Sequence, residues 1–192
     1  MCTLKNIFYD WFGLNEDIFL LINHSHTAFL DQFMLLFTWL GHPRLFLFYI
    51  VFLLLLSWYK PAITFRRNII VFAVSYFLIS VIMVPLLKNT LNMPRPCFLL
   101  GEQLVNILGY PDTIQTFPSG HAAFAVLTAA SLAPDRPRIL KITLVLFAVL
   151  VCISRVYVGA HFPADVLGGA LLSLLTVFAV RFMICNIHPP LR

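Results

Sequence analysis

Eight residues of this chain have types and spacings suited to work on a phosphate: Lys88, Arg95, Ser119, Gly120, His121, Arg155, His161 and Asp165. A phosphate monoester carries about two negative charges spread over several oxygens. One lysine, two forked guanidinium groups and the free N–H groups of a helix start are matched donors for such an anion. Pro118-Ser119-Gly120-His121 predicts that helix start, because proline fits the first positions and glycine lets backbone approach a ligand closely. Breaking a phosphoester in this setting asks one histidine to be an unprotonated nucleophile and the other to hand a proton to the leaving alcohol. Residue types alone do not say which histidine attacks. Only Asp165 bears on it: it follows His161 by four, which puts the two on one helix face if His161 opens the helix, with Pro163 placed as an N-terminal proline should be.

The three cations and two histidines among them are separated by up to 73 positions, so apolar helices must bring them together. Residues 42–59, 68–87, 139–157 and 162–185 read as spans, and Ser119 to Ala133 reads as a shorter helix whose alanines permit close packing. Lys88 ends one span, Arg155 ends another, and His161 opens the last. Prolines on both sides of Arg95 keep it extended. The segment 15–40 is apolar but broken by Asn23, His24, His26, Asp31 and Gln32. It predicts an interfacial helix to about Asn23 and a helix from Phe29 to Leu40 partly shielded by protein. His24 and His26 read as a solvated turn in preference to a metal pair.

Composition excludes several classes. Of 192 residues, 60% are hydrophobic and only 11% are charged, with a mean hydropathy of +0.91, against about a quarter charged in soluble domains. The expectation is an all-α polytopic membrane bundle of five or six crossing helices, one domain over 1–192. Within it, 1–41 forms an interfacial or re-entrant segment and 42–185 the core. The net charge of +5 is scattered over short connections, which argues against nucleic acid and for anionic lipid. No cleavable leader is expected, and Cys2, Cys97, Cys152 and Cys185 have no spacing for a disulfide framework or zinc. No cofactor, metal or obligate protein partner is expected. Lys60, Arg66, Arg67, Arg136, Arg138, Lys141, Arg181 and Arg192 fall on one face, while outside the site the other has only Arg44 and Lys5. The positive-inside rule puts the basic face and the C-terminus in the cytoplasm and His121 outside it.

Three ordered patterns carry a family resemblance. Six residues separate Lys88 from Arg95-Pro96; Pro118-Ser119-Gly120-His121 follows; five residues separate Ser154-Arg155 from His161, and three more separate His161 from Asp165. They resemble all three signature motifs of the type 2 phosphatidic acid phosphatase (PAP2) superfamily, with no position departing. The resemblance is weakest before residue 42. It implies a six-helix membrane core and a metal-independent lipid phosphate phosphatase that works through a phosphohistidine. By position it makes His161 the nucleophile polarised by Asp165, His121 the general acid, and Lys88, Arg95, Arg155, Ser119 and Gly120 the phosphate cradle. Among substrates it leaves undecaprenyl diphosphate, phosphatidylglycerophosphate, phosphatidic acid and a lipid A phosphate; the short chain resembles small bacterial members of the family, among which the carrier-lipid phosphatases, and so the first substrate, are slightly favoured.

Plainer readings exist for each residue alone: cations snorkelling at span ends, Ser119 as a cap, Asp165 as a helix-start charge. Three ordered motifs at fitting spacing outweigh them together. Glu102, Asp112 and Tyr157 keep a structural reading. A transporter or flippase would place its charges within spans or at breaks in them, whereas these sit at span ends beside a loop. A metallohydrolase would need a metal among three cations that repel it. A phosphotransferase that passes the group to another lipid would use the same residues.

Overall fold

A computed structural model describes residues 9–59, 62–109 and 115–187. Cys2, Lys5, Lys60, Asp112 and Arg192, which enter the expectations above, lie outside the described residues. Eight helices follow in order: α1 (Leu14–Asn23), α2 (Ala28–Leu40), α3 (Phe46–Tyr59), α4 (Ile63–Leu91), α5 (Pro96–Leu100), α6 (Gly120–Leu132), α7 (Arg138–Tyr157) and α8 (Pro163–Ile187). There is no strand among the described residues, and a single bridge joins Pro94 to Gln115.

α6 is the centre. Its residues Ala122, Ala123, Phe124, Ala125 and Leu127 are wholly buried, and it packs on α4, α7 and α8. Small side chains let the surrounding helices come close, while Phe124 fills the space beside Phe72 and Tyr76. The outer faces of the other helices are apolar and exposed: Ile142, Val145 and Val149 on α7, Leu171, Leu174 and Phe178 on α8. Apolar surface on that scale is stable only in lipid.

Three helices are long and apolar enough to cross a bilayer alone, α4, α7 and α8 as far as Asn186. The expected span 42–59 instead begins with a 3₁₀ turn, Pro43–Leu45, and becomes helical at Phe46. With α2 it passes as one crossing bent by 52°. Length and composition therefore give three crossings among the described residues, or four with the bent pair. α6 falls outside that number because 13 residues rise only about 20 Å against a hydrocarbon core of ~30 Å. Being enclosed by its neighbours, it has no need to match the bilayer. α4 contains a wide π turn at Phe77–Met83, just before Pro85, where a missing N–H and the ring's bulk disturb the ordinary ladder.

The broken N-terminal segment is helical as expected, with α1 ending at Asn23 and α2 beginning at Ala28. Its polar residues are used internally. Asn15 is buried and its Oδ1 accepts the Ala164 N–H at 2.9 Å, which caps α8 from another element. Asn23 is fully buried; its Nδ2 donates to the carbonyls of Asn106 and Tyr157, and its Oδ1 accepts the Asn106 N–H. The two histidines do not face a common point. His24 Nε2 donates to the Leu104 carbonyl, whereas His26 Nδ1 lies 2.8 Å from Asp31, which also accepts from Tyr157.

At the far end, Arg181 on α8 donates to Asn68 on α4 and to the Ser131 carbonyl on α6, Arg67 pairs with Asp135 at 3.6 Å, and Arg136 lies over the Phe65 ring. Lys88 and Arg155 stand at the opposite ends of α4 and α7 from Arg67 and Arg138. α8 is pressed onto the loop before α6 at two glycines. A Cβ on Gly169 would lie 2.5 Å from the Ser119 carbonyl oxygen, and one on Gly168 would enter the Phe117 ring. Gly169→Ala should force that loop to move, at a cost of about 1–3 kcal/mol. Thermal unfolding of the purified protein in detergent checks it, with an earlier transition expected.

Candidate functional site

The eight residues singled out in the sequence converge at one end of the bundle. Lys88, Arg95, Gly120, His121, Arg155 and His161 line one cavity of about 440 Å³, and Ser119 and Asp165 are fully buried behind it. A larger apolar cavity of about 670 Å³, lined in part by Phe52, Phe65 and Arg136, contains none of the eight. Each element places its residue for a local reason. Lys88 lies in the last turn of α4, and its Nζ donates to the Gln115 carbonyl at 2.8 Å. Arg95 is extended between its two prolines, as expected, and Nη1 donates to the Ala160 carbonyl at 3.0 Å. Arg155 is buried in the last turn of α7, and its own carbonyl accepts the N–H groups of Ala160 and His161. Ser119 is the N-cap of α6, its Oγ facing the Ala122 N–H, and its N–H donates to the Asp165 carbonyl. The first turn of α6 thus opens toward the cavity beside three cations, an arrangement that favours an anion.

His161 and Asp165 come together differently from the expected i, i+4 helix pair. α8 begins at Pro163, so His161 precedes the helix instead of occupying its first turn. The residue before a proline avoids helical backbone, which leaves Phe162 as the cap and Asp165 as the third helical position. From there Asp165 Oδ2 reaches back to accept the Phe162 N–H at 2.8 Å, one half of a capping box. His161 Nδ1 lies 3.6 Å from Asp165 Oδ2, too far for a hydrogen bond. Thr116 bridges them. Its hydroxyl is 3.1 Å from His161 Nδ1 and donates to Asp165 Oδ2. Since the hydroxyl hydrogen goes to the carboxylate, the Thr116 oxygen is left to accept from Nδ1–H, and the lone pair of the ring falls on Nε2.

Tyr9 completes the shell around the carboxylate, donating to Oδ1 at 2.9 Å. Burial and the neighbouring Asp165 raise the Tyr9 phenol's affinity for its proton, so it stays a donor. Burial, reinforced by Arg155, Arg95 and Lys88, holds the His161 imidazole well below the usual histidine range. The ring is therefore neutral at neutral pH, the state a nucleophile requires. His42 and Arg44 also line the cavity, and the His42 ring meets the His121 ring edge-on with centroids 4.7 Å apart.

Reading the sequence misses Thr116, Tyr9, His42 and Arg44 as parts of this site. Thr116 had a usable signal, since it stands two residues before Pro118 in the motif. Tyr9 had none, because nothing in the chain links position 9 to position 165 except the fold.

With this geometry in view, the likeness to known proteins is consistent. The model of the PAP2 superfamily matches residues 68–186. An undecaprenyl-diphosphatase of Sulfolobus acidocaldarius is 32% identical over 160 residues, 83% of this chain and 73% of that protein. Among solved structures, Aquifex aeolicus LpxE superimposes with a TM-score of 0.76 at 30% identity, covering 87% of this chain and 94% of the other. A transmembrane PAP2 type phosphatidylglycerolphosphate phosphatase from Bacillus subtilis gives 0.76 at 26% identity, covering 95% and 90%. The family match over most of the chain and the helical membrane fold agree with the three motifs: the chain belongs to the PAP2 superfamily and is a membrane phosphatase.

Proposed function

We propose that the protein removes the terminal phosphate from a lipid phosphate or diphosphate at the extracytoplasmic face of the cell membrane, through a phosphohistidine on His161. The observation that carries this reading is the buried line His161, Thr116, Asp165 opening on a cavity with Lys88, Arg95 and Arg155. The Thr116 oxygen holds the proton on Nδ1, which aims an Nε2 lone pair at the phosphorus. Lys88, Arg95, Arg155, the Ser119 hydroxyl and the Gly120 backbone hold the phosphoryl oxygens as charge builds on them. His121 protonates the leaving oxygen. Burial first, and then the nearby Arg155 and Arg95, oppose a charge on His121; a bound phosphate dianion offsets those cations and so favours the protonated acid. Water then attacks the phosphohistidine, His121 takes its proton, and inorganic phosphate leaves.

The face is read from the distribution of charge and the substrate from likeness. Arg66, Arg67, Arg136, Arg138, Lys141 and Arg181 gather at the end away from the cavity, which by the positive-inside rule puts them and the C-terminus in the cytoplasm. Undecaprenyl diphosphate is the favoured substrate because a relative that matches most of this chain is an undecaprenyl-diphosphatase. Nothing in the cycle calls for a metal: the three cations carry the oxygens' charge and His161 supplies the nucleophile.

Phosphate release from a panel of lipid phosphates by the purified protein in EDTA tests the reading, with full activity in chelator expected. Loss of turnover restored by a divalent ion would reject it. His161→Ala should lower turnover by at least ~10³-fold with the thermal transition retained; substantial residual activity would remove His161 from the nucleophile's role. Thr116→Val should lower kcat by on the order of 10²-fold with little change in KM, and Thr116→Ser should restore most of it. A purely structural threonine would show no such split. Because the His161 pKa is depressed, the neutral ring persists as pH falls, so the acid limb of kcat/KM should lie below the ordinary histidine value of about 6.5. An acid limb above pH 7 would contradict this.

A further inference from the structure

We propose that His42 and Arg44 form a subsite for a second phosphate on the leaving-group side of the cavity, which makes a lipid diphosphate the substrate the site is built for. This rests on the phosphatase reading above and specifies what lies beyond the phosphoryl group being transferred.

Position is the first argument. His121 marks where the leaving oxygen departs, and the His42 ring packs edge-on against it at 4.7 Å between centroids. Arg44, two residues on, lines the same cavity from its exposed mouth. The transferred phosphoryl already has Lys88, Arg95, Arg155 and the start of α6. Further cationic and donor groups beside the acid serve the fragment that leaves. A lipid alcohol carries no charge after it has been protonated, and its tail is apolar. A lipid monophosphate remains an anion and is matched by a guanidinium and an N–H donor.

Chemistry of the ring is the second. His42 Nδ1 accepts the Arg44 backbone N–H at 3.0 Å, so the neutral ring carries its hydrogen on Nε2, as a donor and not an acceptor. The turn that bears both residues is held in place: the Pro43 carbonyl accepts from Tyr76 on α4, and the Leu40 carbonyl accepts from Tyr49 on α3. A backbone held in place on a short connection is a fit carrier for a binding subsite. Space is the third. A cavity of about 440 Å³ holds roughly fifteen water volumes at ~30 Å³ each, far more than one phosphoryl group fills.

In the reaction, a bond forms between His161 Nε2 and the terminal phosphorus while the bond from that phosphorus to the bridging oxygen breaks. The bridging oxygen keeps the electron pair, takes the proton from His121, and leaves as part of a lipid monophosphate held by His42 and Arg44. Water then cleaves the N–P bond, returning one proton to His121 and freeing inorganic phosphate.

The test uses the full chain in detergent with three substrates: a prenyl diphosphate, the prenyl monophosphate of the same tail, and phosphatidylglycerophosphate, whose second phosphate is spaced by glycerol. The wild type should favour the diphosphate over the monophosphate in kcat/KM by about tenfold or more. Arg44→Gln should reduce that ratio about tenfold, through KM for the diphosphate, as expected for loss of a charge-assisted contact. Arg44→Lys should keep most of the ratio, and His42→Gln should reduce it. If Arg44→Gln slows both prenyl substrates equally, Arg44 acts on bulk lipid charge and the subsite is overturned. If only phosphatidylglycerophosphate is affected, the assignment to an adjacent phosphate is overturned. A wild type that cleaves none of the three overturns the phosphatase reading, and the subsite with it.

Discussion

Positive charge held inside the end of an apolar bundle is the condition to which the rest of this structure answers. Arg95 and Arg155 are almost fully buried and Lys88 is half-buried, and isolated charges in such surroundings are costly. Part of the cost is met by backbone carbonyls: Gln115 for Lys88 and Ala160 for Arg95. Those carbonyls belong to the loops that carry Thr116 and His161, so the cations that would bind phosphate also hold the loops that would act on it. A carboxylate, Asp165, stands nearby, but its oxygens are taken by Thr116, Phe162 and Tyr9. An anionic substrate is the natural complement.

The same economy appears at the helix starts. α8 begins under three constraints at once: Pro163 sets the backbone, Asp165 satisfies the Phe162 N–H, and Asn15 satisfies the Ala164 N–H from α1. Asp165 is thus both a helix cap and the anchor of the Thr116 hydroxyl, and no sharp line divides fold from site. α6 starts against α8 through the hydrogen bond from the Ser119 N–H to the Asp165 carbonyl, an approach allowed by the missing side chain at Gly169. The two segments that bear His121 and His161 are therefore joined directly by this contact.

The N-terminal segment is where the chain looks least like a membrane span, and its polar groups account for that. Asn15 and Asn23 are buried within protein, out of contact with lipid, and Tyr9 reaches the carboxylate at the site. Hydropathy reads such a segment as a defective span, since it scores side chains against lipid. In the fold they are partners for backbone groups that would otherwise be unsatisfied.

Much of this was legible in the residues alone. Apolar length marked α4, α7 and α8; proline and serine marked the starts of α6 and α8; three spaced motifs named all eight residues that converge on the site. These are local properties, set by hydrogen-bond geometry within a few residues and by the thickness of a bilayer. Other features depend on contacts between distant positions, which no periodicity records: that α6 is a short enclosed core, that the chain bends between α2 and α3, that Thr116 stands between His161 and Asp165, and that Tyr9 and Asn15 support them. The sequence by itself determined which groups are available for phosphate chemistry and on which helix ends they lie. Only the tertiary structure decided which hydroxyl stands between the imidazole and the carboxylate and which side chains lie beside His121, because those are distances between elements that close packing alone establishes.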